Sequence, residues 1–429
     1  MSPADTITAL ITGVPPCAVA WVRVSGQDAY SVAAEVFRPW PADPEPHRAI
    51  FGRFAHGDEG FALPFAEGAS YTGEPTVEFS VHGSRYSVSK LLELCQAAGA
   101  RAAGPGEFTM RAFMNGRIDL SQAESVADSI EADTERAFRM ATLNRGGALR
   151  KEVRLLRERV VALLARVEAT IDFEEEIGPL PAPEMLAETA GLIKDLRAVN
   201  EKGRNGARLR LGLRIAIVGP VNAGKSSLLN ALLGRSRAIV SDVPGTTRDT
   251  IEEEAEFDGL RVVLVDTAGL RETADPVEQM GLARAADEVE AADLLLQVFD
   301  ARLGPTDDML DESPRPRILV ANKSDLAASA HGHSVSALTG QGLDELSRKI
   351  VERAPEADVS LYINPRQSAA IATAIDALEQ FSSALDGHMP ADLLAVLLTE
   401  AVDQLGRVSG ETASADLLDE IFSHFCIGK

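Results

Sequence analysis

The chain has 429 residues, 45% hydrophobic and 25% charged, which fits a globular protein of about three domains with room for real cores. Its 42 Lys and Arg stand against 65 Asp and Glu, a formal net charge of −23; this excludes coating of nucleic acid through bulk charge and leaves room for a local basic patch. Three cysteines, Cys17, Cys95 and Cys426, make no disulfide framework and no metal-ligand spacing, so a reducing compartment is expected.

Met1-Ser-Pro-Ala-Asp5 carries no basic region followed by an apolar core, and no apolar run reaches about 18 residues. A cytoplasmic protein without signal peptide or membrane span is expected. Residues 1 to about 115 mix β-like runs, such as Val19–Val24 and Thr76–Val81, with loops and a helical stretch from Ser87 to Ala98. Pro39, Pro41, Pro44 and Pro46 interrupt them, and a small α+β domain follows. From about Ser121 to Glu176 the pattern is helical. It carries Arg136, Arg139, Arg145, Arg150, Lys151, Arg154, Arg157, Arg159 and Arg166, read either as a solvated helix face with Glu partners or as a phosphate-contacting surface. Gly178-Pro-Leu-Pro-Ala-Pro183 breaks the helix. After another helix, Lys202-Gly-Arg-Asn-Gly206 reads as a linker. Residues 211 to about 355 alternate strand and helix, as an α/β sheet does. From Pro365 the chain is helical again, with Leu393, Leu394, Leu397, Leu398, Ala401 and Leu405 at helical spacing. Helical blocks on both sides of an α/β unit imply that the unit is inserted into a helical domain.

The strongest motif is Gly219-Pro-Val-Asn-Ala-Gly-Lys-Ser226, a G-x-x-x-x-G-K-[ST] loop between an apolar strand and a helix. Its glycines let backbone N–H groups turn onto phosphate oxygens, Lys225 brings a point charge, and Ser226 offers Mg²⁺ a hydroxyl. Asp266-Thr-Ala-Gly269 follows the strand Arg261–Val265, where a carboxylate can hold the Mg²⁺ shell and Gly269 can present its N–H to a γ-phosphate. Asn322-Lys-Ser-Asp325 follows Ile318–Ala321. Asp325 only accepts hydrogen bonds, and guanine offers two adjacent donors that adenine lacks. Ser334-Val-Ser-Ala337 stands where a later loop supports the base. In this order the motifs specify a guanine-nucleotide-binding P-loop domain, similar to the translation-factor-like GTPases. The switch-like loop Pro244-Gly-Thr-Thr-Arg-Asp249 places Thr247, by that analogy, in the Mg²⁺ shell.

Leu270 stands where Ras-like enzymes carry a water-orienting Gln, so another group must position water. Asn222 reads as a monovalent-cation ligand or as a turn residue. Glu278 reads as a water-polarising carboxylate or as solvated surface.

End to end, the chain resembles the tRNA modification GTPase MnmE (TrmE) family, among the TrmE-Era-EngA-type P-loop GTPases. The resemblance is carried by Asp5–Leu10, Arg23-Val-Ser-Gly26, Tyr71-Thr-Gly-Glu74, His82-Gly83, Pro105–Asn115, Asp119–Glu124, the GTPase motifs and Phe425-Cys-Ile-Gly-Lys429. It implies a multidomain fold: an N-terminal α+β folate-binding and dimerisation domain (1–116), an all-α helical domain in two parts (117–208 and 361–429) and an inserted Ras-like α/β GTPase domain (209–360). It implies a K⁺-stimulated GTPase in a homodimer. With the flavoprotein MnmG (GidA), in a heterotetramer, it adds a (carboxymethyl)aminomethyl group at C5 of the wobble uridine of certain tRNAs. No G-x-G-x-x-G follows a strand here, in keeping with a flavin supplied by the partner.

Carried over by motif, Glu278 and Lys225 are the catalytic residues. The GTP contacts are Asn222, Ala223, Gly224, Lys225, Ser226, Ser227, Ser241, Asp242, Val243, Pro244, Gly245, Thr246, Thr247, Asp266, Thr267, Ala268, Gly269, Asn322, Lys323, Asp325, Ser336 and Ala337. Mg²⁺ falls to Ser226 and Thr247, and K⁺ to Asn222, Ser241, Val243 and Thr246, the last three chiefly through carbonyls. A 5-formyltetrahydrofolate or related one-carbon tetrahydrofolate falls to Arg23, Glu78, Arg117 and Lys429. Arg117 stands where the family usually has Lys, which keeps charge and changes geometry. The segment Gly13–Ala18 departs from a more Gly-rich family loop. Cys426 reads as a placed thiol near the folate or as a structural cysteine; Gly and Lys after it fit a prenylation box poorly. Two other functions compete: a ribosome-assembly GTPase switch, and a folate-dependent one-carbon transferase regulated by GTP.

Overall fold

The structure, a computed structural model, describes residues 5–173, 176, 178–235, 252–266, 289, 291–306, 309, 316–353 and 361–428, with the side chains of 204, 205, 207–211, 252 and 266 outside that description. The chain forms two compact units: residues 1–127, 153–179 and 390–429 make one, and residues 128–152 and 180–389 the other.

The first unit holds a seven-stranded sheet of β1 (Ile7–Leu10), β2 (Val19–Ser25), β3 (Phe37–Arg38), β4 (Ile50–Phe54), β5 (Glu59–Phe65), β6 (Thr76–His82) and β7 (Arg101–Ala102), in the order β3-β4-β5-β6-β2-β1-β7. Alternation dictates its faces. Val22, Val24, Val77 and Phe79 are fully buried in one core with Val32 and Ala33 of α1 (Ala29–Val36) and Val88 and Leu91 of α2 (Arg85–Ala97). The residues between them, Arg23 and Glu78, therefore point to the opposite face. The Ser84 side chain accepts the Ser87 N–H and caps α2. Next come α3 (Glu107–Met114) and α4 (Leu120–Ile130). The C-terminal part of the unit adds α11 (Ala391–Ser409) and α12 (Ala415–Ser423). Leu394, Leu398, Ala401 and Leu405 are buried along α11, as their spacing predicts, while Leu393 is exposed.

The second unit begins with α5 (Glu135–Arg145). Helix α6 (Ala148–Asp172) starts in it and ends in the first unit. Then follow α7 (Ala182–Leu211) and a six-stranded sheet of β8 (Leu213–Val218), β9 (Glu252–Phe257), β10 (Leu260–Asp266), β11 (Leu294–Asp300), β12 (Arg317–Asn322) and β13 (His333–Ser334). The order is β13-β12-β11-β8-β10-β9, parallel except for β9. Helices α8 (Lys225–Leu233), α9 (Leu343–Arg353) and α10 (Pro365–Asp386) complete it. The strands read as near-continuous apolar runs because both faces of a parallel sheet are covered: Ile215, Ile217, Leu264, Leu296 and Val298 are fully buried with Leu228 and Leu232 of α8.

The linker expected at Lys202–Gly206 is instead interior helix, since α7 runs unbroken through it. Its glycines serve close packing: a Cβ at Gly203 would lie 2.1 Å from Ile363 Cγ1, and one at Gly206 2.6 Å from the Leu361 carbonyl. The buried segment Leu361-Tyr362-Ile363 lies along this stripe, and the Ile363 N–H donates to the Gly203 carbonyl at 3.3 Å. Asn144 Nδ2 donates to the Tyr362 carbonyl at 2.6 Å, which ties α5 to the same segment. Among the described residues no helix is long and apolar enough to cross a membrane.

Candidate functional site

In the α/β unit the carboxyl ends of the parallel strands meet in register. Asp266 on β10 pairs with Ile217 on β8, Gln297 on β11 with Val218, and Asp300 on β11 with Asn322 on β12. A sheet of this kind presents its ligand site at that edge. The phosphate loop leaves β8 there and enters α8, whose first residue is Lys225. Asn222 holds φ +64° and Gly224 φ +89°, the left-handed turn that swings successive amides to one side. Gly224 has a second reason to be glycine: a Cβ on it would lie 2.4 Å from Asn322 Nδ2. Lys225 Nζ donates to the Gly219 carbonyl at 2.7 Å and the Pro220 carbonyl at 3.0 Å, curled over its own loop. Ala223 is buried, and Ser226 and Ser227 are exposed on the first turn of α8.

The Asn322–Asp325 loop is bound to the phosphate loop. Asn322, 1% exposed, donates through Nδ2 to the carbonyls of Ala223 at 3.0 Å and Gly224 at 3.3 Å. Its Oδ1 accepts the Lys323 N–H at 2.8 Å and the Ala337 N–H at 3.1 Å. One carboxamide thus joins three loops. Lys323 Nζ donates to the Asn222 carbonyl at 2.6 Å and to Asp300 Oδ2 at 2.9 Å. Ser336, fully buried, donates its hydroxyl to Asp325 Oδ1 at 2.6 Å and so orients that exposed carboxylate.

Asp300 is a site residue that sequence reasoning missed. The guanidinium of Arg302, and then the Lys323 ammonium, hold its carboxyl well below the usual carboxylate range. Its signal is the one that marks Asp266: an acid closing an apolar strand.

In the first unit Arg23 and Glu78 lie directly opposite on β2 and β6. Arg23 Nε donates to Glu78 Oε1 at 2.8 Å, and Nη2 reaches the same oxygen at 2.8 Å, with side chains 12% and 17% exposed. The guanidinium carbon sits 5.0 Å from the Tyr71 ring centroid and 5.1 Å from that of Phe108, within cation–π range of both. Tyr71 OH is 2.9 Å from the Thr109 hydroxyl. Arg117 is exposed, and its stem lies against Gly73, two residues beyond Tyr71; a Cβ there would come within 3.1 Å of Arg117 Cγ.

An ion network absent from the sequence reading backs this corner. Arg111, 8% exposed, donates to Asp5 Oδ1 at 2.6 Å, Glu107 Oε1 at 3.0 Å and Glu74 Oε1 at 3.2 Å. Arg101 bonds Glu107 at 2.7 Å and Asp5 at 2.8 Å. Burial pushes the Glu107 carboxyl up, but Arg101, the Gly104 amide and Arg111 together outweigh it and leave it lowered; Asp5 is lowered by Arg101 first. The i, i+4 spacing of Glu107 and Arg111 is the available signal.

The C-terminal segment docks beside β1. Ile427 bridges Pro105, the Gly106 N–H donates to the Cys426 carbonyl at 3.3 Å, and a Cβ on Gly428 would lie 2.1 Å from the Leu10 carbonyl. Cys426 itself is exposed.

Ser241, Asp242, Val243, Pro244, Gly245, Thr246, Thr247, Thr267, Ala268, Gly269, Glu278 and Lys429 lie outside the described residues, as does the side chain of Asp266.

Two family descriptions match the chain: GTP-binding protein TrmE N-terminus over residues 6–117 and the MnmE helical domain over residues 120–426. A tRNA modification GTPase MnmE from Symbiobacterium thermophilum is 42% identical over 454 residues, covering 99% of this chain and 99% of that protein. One from Synechococcus sp. (strain JA-3-3Ab) is 41% identical over 453 residues, covering 99% and 98%. Among solved structures, a point variant of Aquifex aeolicus Era bound to GDP·AlF4⁻ is 28% identical over 38% of this chain and 66% of its own, with a TM-score of 0.26. The fold is multidomain, an N-terminal α+β domain and a helical domain with an inserted P-loop GTPase-type α/β domain. With matches of this length and identity, the chain belongs to the tRNA modification GTPase MnmE family.

Proposed function

We propose that the chain hydrolyses GTP to GDP and phosphate and that this hydrolysis serves modification of the wobble uridine of certain tRNAs. The observation that carries the nucleotide reading is the bracing of the phosphate loop by Asn322 and Lys323, beside the Asp325 carboxylate oriented by Ser336. The tRNA reading is supported by the relatives' shared name.

The chemistry follows from the residues. Loop amides and Lys225 take the β- and γ-phosphates; Lys225 exchanges its two loop carbonyls for phosphate oxygens, trading neutral acceptors for charged ones. Asp325 accepts guanine's two adjacent donors, and an adenine in its place would leave the carboxylate unmet. The donor set suits hard cations. Ser226 and Thr247 would hold Mg²⁺, and Asp266 would support that shell. Asn222, with Ser241, Val243 and Thr246, would hold K⁺. Asn222 fits that role in being exposed and left-handed, with its own carbonyl already occupied by Lys323. Bound there, the two cations supply positive charge where the phosphates develop negative charge. Glu278 polarises the attacking water in place of the missing Gln.

The Arg23–Glu78 pair offers donors beside an acceptor next to two aromatic rings. This set fits a flat heterocycle with its own polar edge, such as a one-carbon tetrahydrofolate. Arg117 and Lys429 suit its carboxylates. The chain acts as a homodimer with a flavin-dependent MnmG-type partner that supplies the redox chemistry. In cells lacking the chain, mass spectrometry of tRNA nucleosides should show the C5-substituted wobble uridine replaced by its unmodified form. An unchanged nucleoside profile contradicts this reading and favours the ribosome-assembly alternative.

A further inference from the structure

We infer that Asp300 is a positioning residue for nucleotide binding: its carboxylate, fixed at the end of β11, holds the Lys323 ammonium against the Asn222 carbonyl and so ties the base-reading loop to the phosphate loop. The inference rests on the nucleotide reading above and adds a residue to it.

Asp300 is 5% exposed and its backbone is set by pairing with Asn322 in the β11–β12 register. Its Oδ2 meets Lys323 Nζ at 2.9 Å and Arg302 Nη2 at 2.7 Å, while Oδ1 accepts the Arg302 backbone N–H and Nε, each at 3.0 Å. Arg302 alone thus supplies three of the four bonds that orient the carboxylate toward Lys323. Lys323 needs such an anchor. It sits at φ +64°, a conformation rare for a non-glycine residue, and its long side chain loses much rotamer freedom on being held. The carbonyl it grips belongs to Asn222, which is also left-handed at φ +64°. Two strained turns, one in each loop, are therefore stapled by one ammonium whose position Asp300 decides. Asn322 supplies a second staple one residue earlier, through neutral bonds to the next two carbonyls. Among the described residues the Asp300 backbone pairs with Asn322 while its carboxylate bonds Lys323, so the carboxylate acts on the nucleotide through Lys323.

The test uses the full-length protein and the dissociation rate of a fluorescent GDP analogue measured by stopped flow, with the melting temperature recorded alongside. Asp300→Asn keeps the shape and removes the charge. It should speed dissociation about ten- to a hundredfold, the scale of one charged hydrogen bond. Lys323→Met should do the same, and the double variant should be no faster than Lys323→Met alone. Arg302→Gln, which removes the two guanidinium bonds and keeps the backbone one, should speed dissociation less than Asp300→Asn does, and a larger effect than that of Asp300→Asn overturns the assignment of the staple to the Asp300–Lys323 contact. An unchanged rate in Asp300→Asn overturns the inference, as do effects of the two variants that multiply. Should Asp300→Asn fail to fold, Lys323→Met still decides: an unchanged rate in it overturns the staple. A parent protein that does not bind the GDP analogue would instead remove the nucleotide reading itself.

Discussion

The phosphate-loop edge of the α/β sheet and the polar face of the N-terminal sheet are built on opposite plans. At the first, side chains such as Asn322 and Lys323 hold loops to one another, which in the proposed reading leaves mostly backbone amides to meet the ligand. At the second, the polar side chains are held by strands, by a paired charge and by rings, as Arg23 is by Glu78, Tyr71 and Phe108, and in the proposed reading they face the ligand themselves. The first plan confines its chemistry to short contiguous motifs. The second draws on residues far apart in sequence: Arg23 and Glu78 are 55 positions apart, and Arg111 and Asp5 are 106.

The largest effect is expected from removing the group proposed to hold the phosphates. Lys225→Ala should cut GTP hydrolysis by a factor on the order of 10² to 10³, read as phosphate release, since a preorganised positive charge at the transferring group is lost. Its fold should survive, because the bonds of Lys225 within the loop are to carbonyls beside water. A variant with near-parent turnover contradicts the phosphate-holding role. Asp325→Asn comes next. It should weaken GTP about a hundredfold and improve binding of xanthosine nucleotides, whose 2-oxo group accepts from the new amide. A loss equal for both bases would place Asp325 outside base recognition.

In the N-terminal sheet the expected effects are on stability first. Arg23→Met leaves Glu78 without its guanidinium and should cost about 2 kcal/mol of unfolding free energy, the range for stripping a partner from a largely buried charge. Denaturant unfolding monitored on the N-terminal region measures it. Folate affinity should fall in the same variant, and intact affinity would remove Arg23 from that site.

Acid should act on both regions through their lowered carboxyls. Asp300, Asp5 and Glu107 all lie below their ordinary values when folded. Their stabilising contribution is therefore complete above the unfolded carboxylate range near pH 4 and is lost as pH falls through the folded values. Stability measured from pH 7 down to pH 3 should drop in the acid limb. In Asp300→Asn that limb should be shallower, and an unaltered slope contradicts the role of Asp300 in it. The smallest effect concerns the thiols. Burial pushes Cys95 up to about 12, whereas Cys17 and Cys426 are exposed. A thiol reagent at pH 8 should label the latter two without changing stability and reach Cys95 only on unfolding.

The same contrast explains what is legible in the sequence. The phosphate loop, the Asn322–Asp325 motif and their strands can be read because each motif carries its context in neighbouring residues. The buried stripe of α11 follows from its period. Lys202–Gly206 misleads because Gly beside Lys and Asn has the local composition of a linker, while its meaning is set by Ile363, some 160 positions on in the chain. The rings that hold Arg23 give no local signal, since Tyr71 and Phe108 become its neighbours only when the strands pair and α3 packs. Asp300 is within reach of sequence reasoning, because an acid closing a buried parallel strand is costly unless it has partners.

In the function proposed above, a monovalent cation and the Glu278 carboxylate do the work of the absent glutamine. Steady-state GTP hydrolysis by the full-length protein, compared in equal concentrations of KCl and NaCl, tests it most directly when binding of a GTP analogue is measured in parallel. Turnover should be much faster in K⁺, with nearly equal binding in both salts. Equal turnover in the two salts would contradict it.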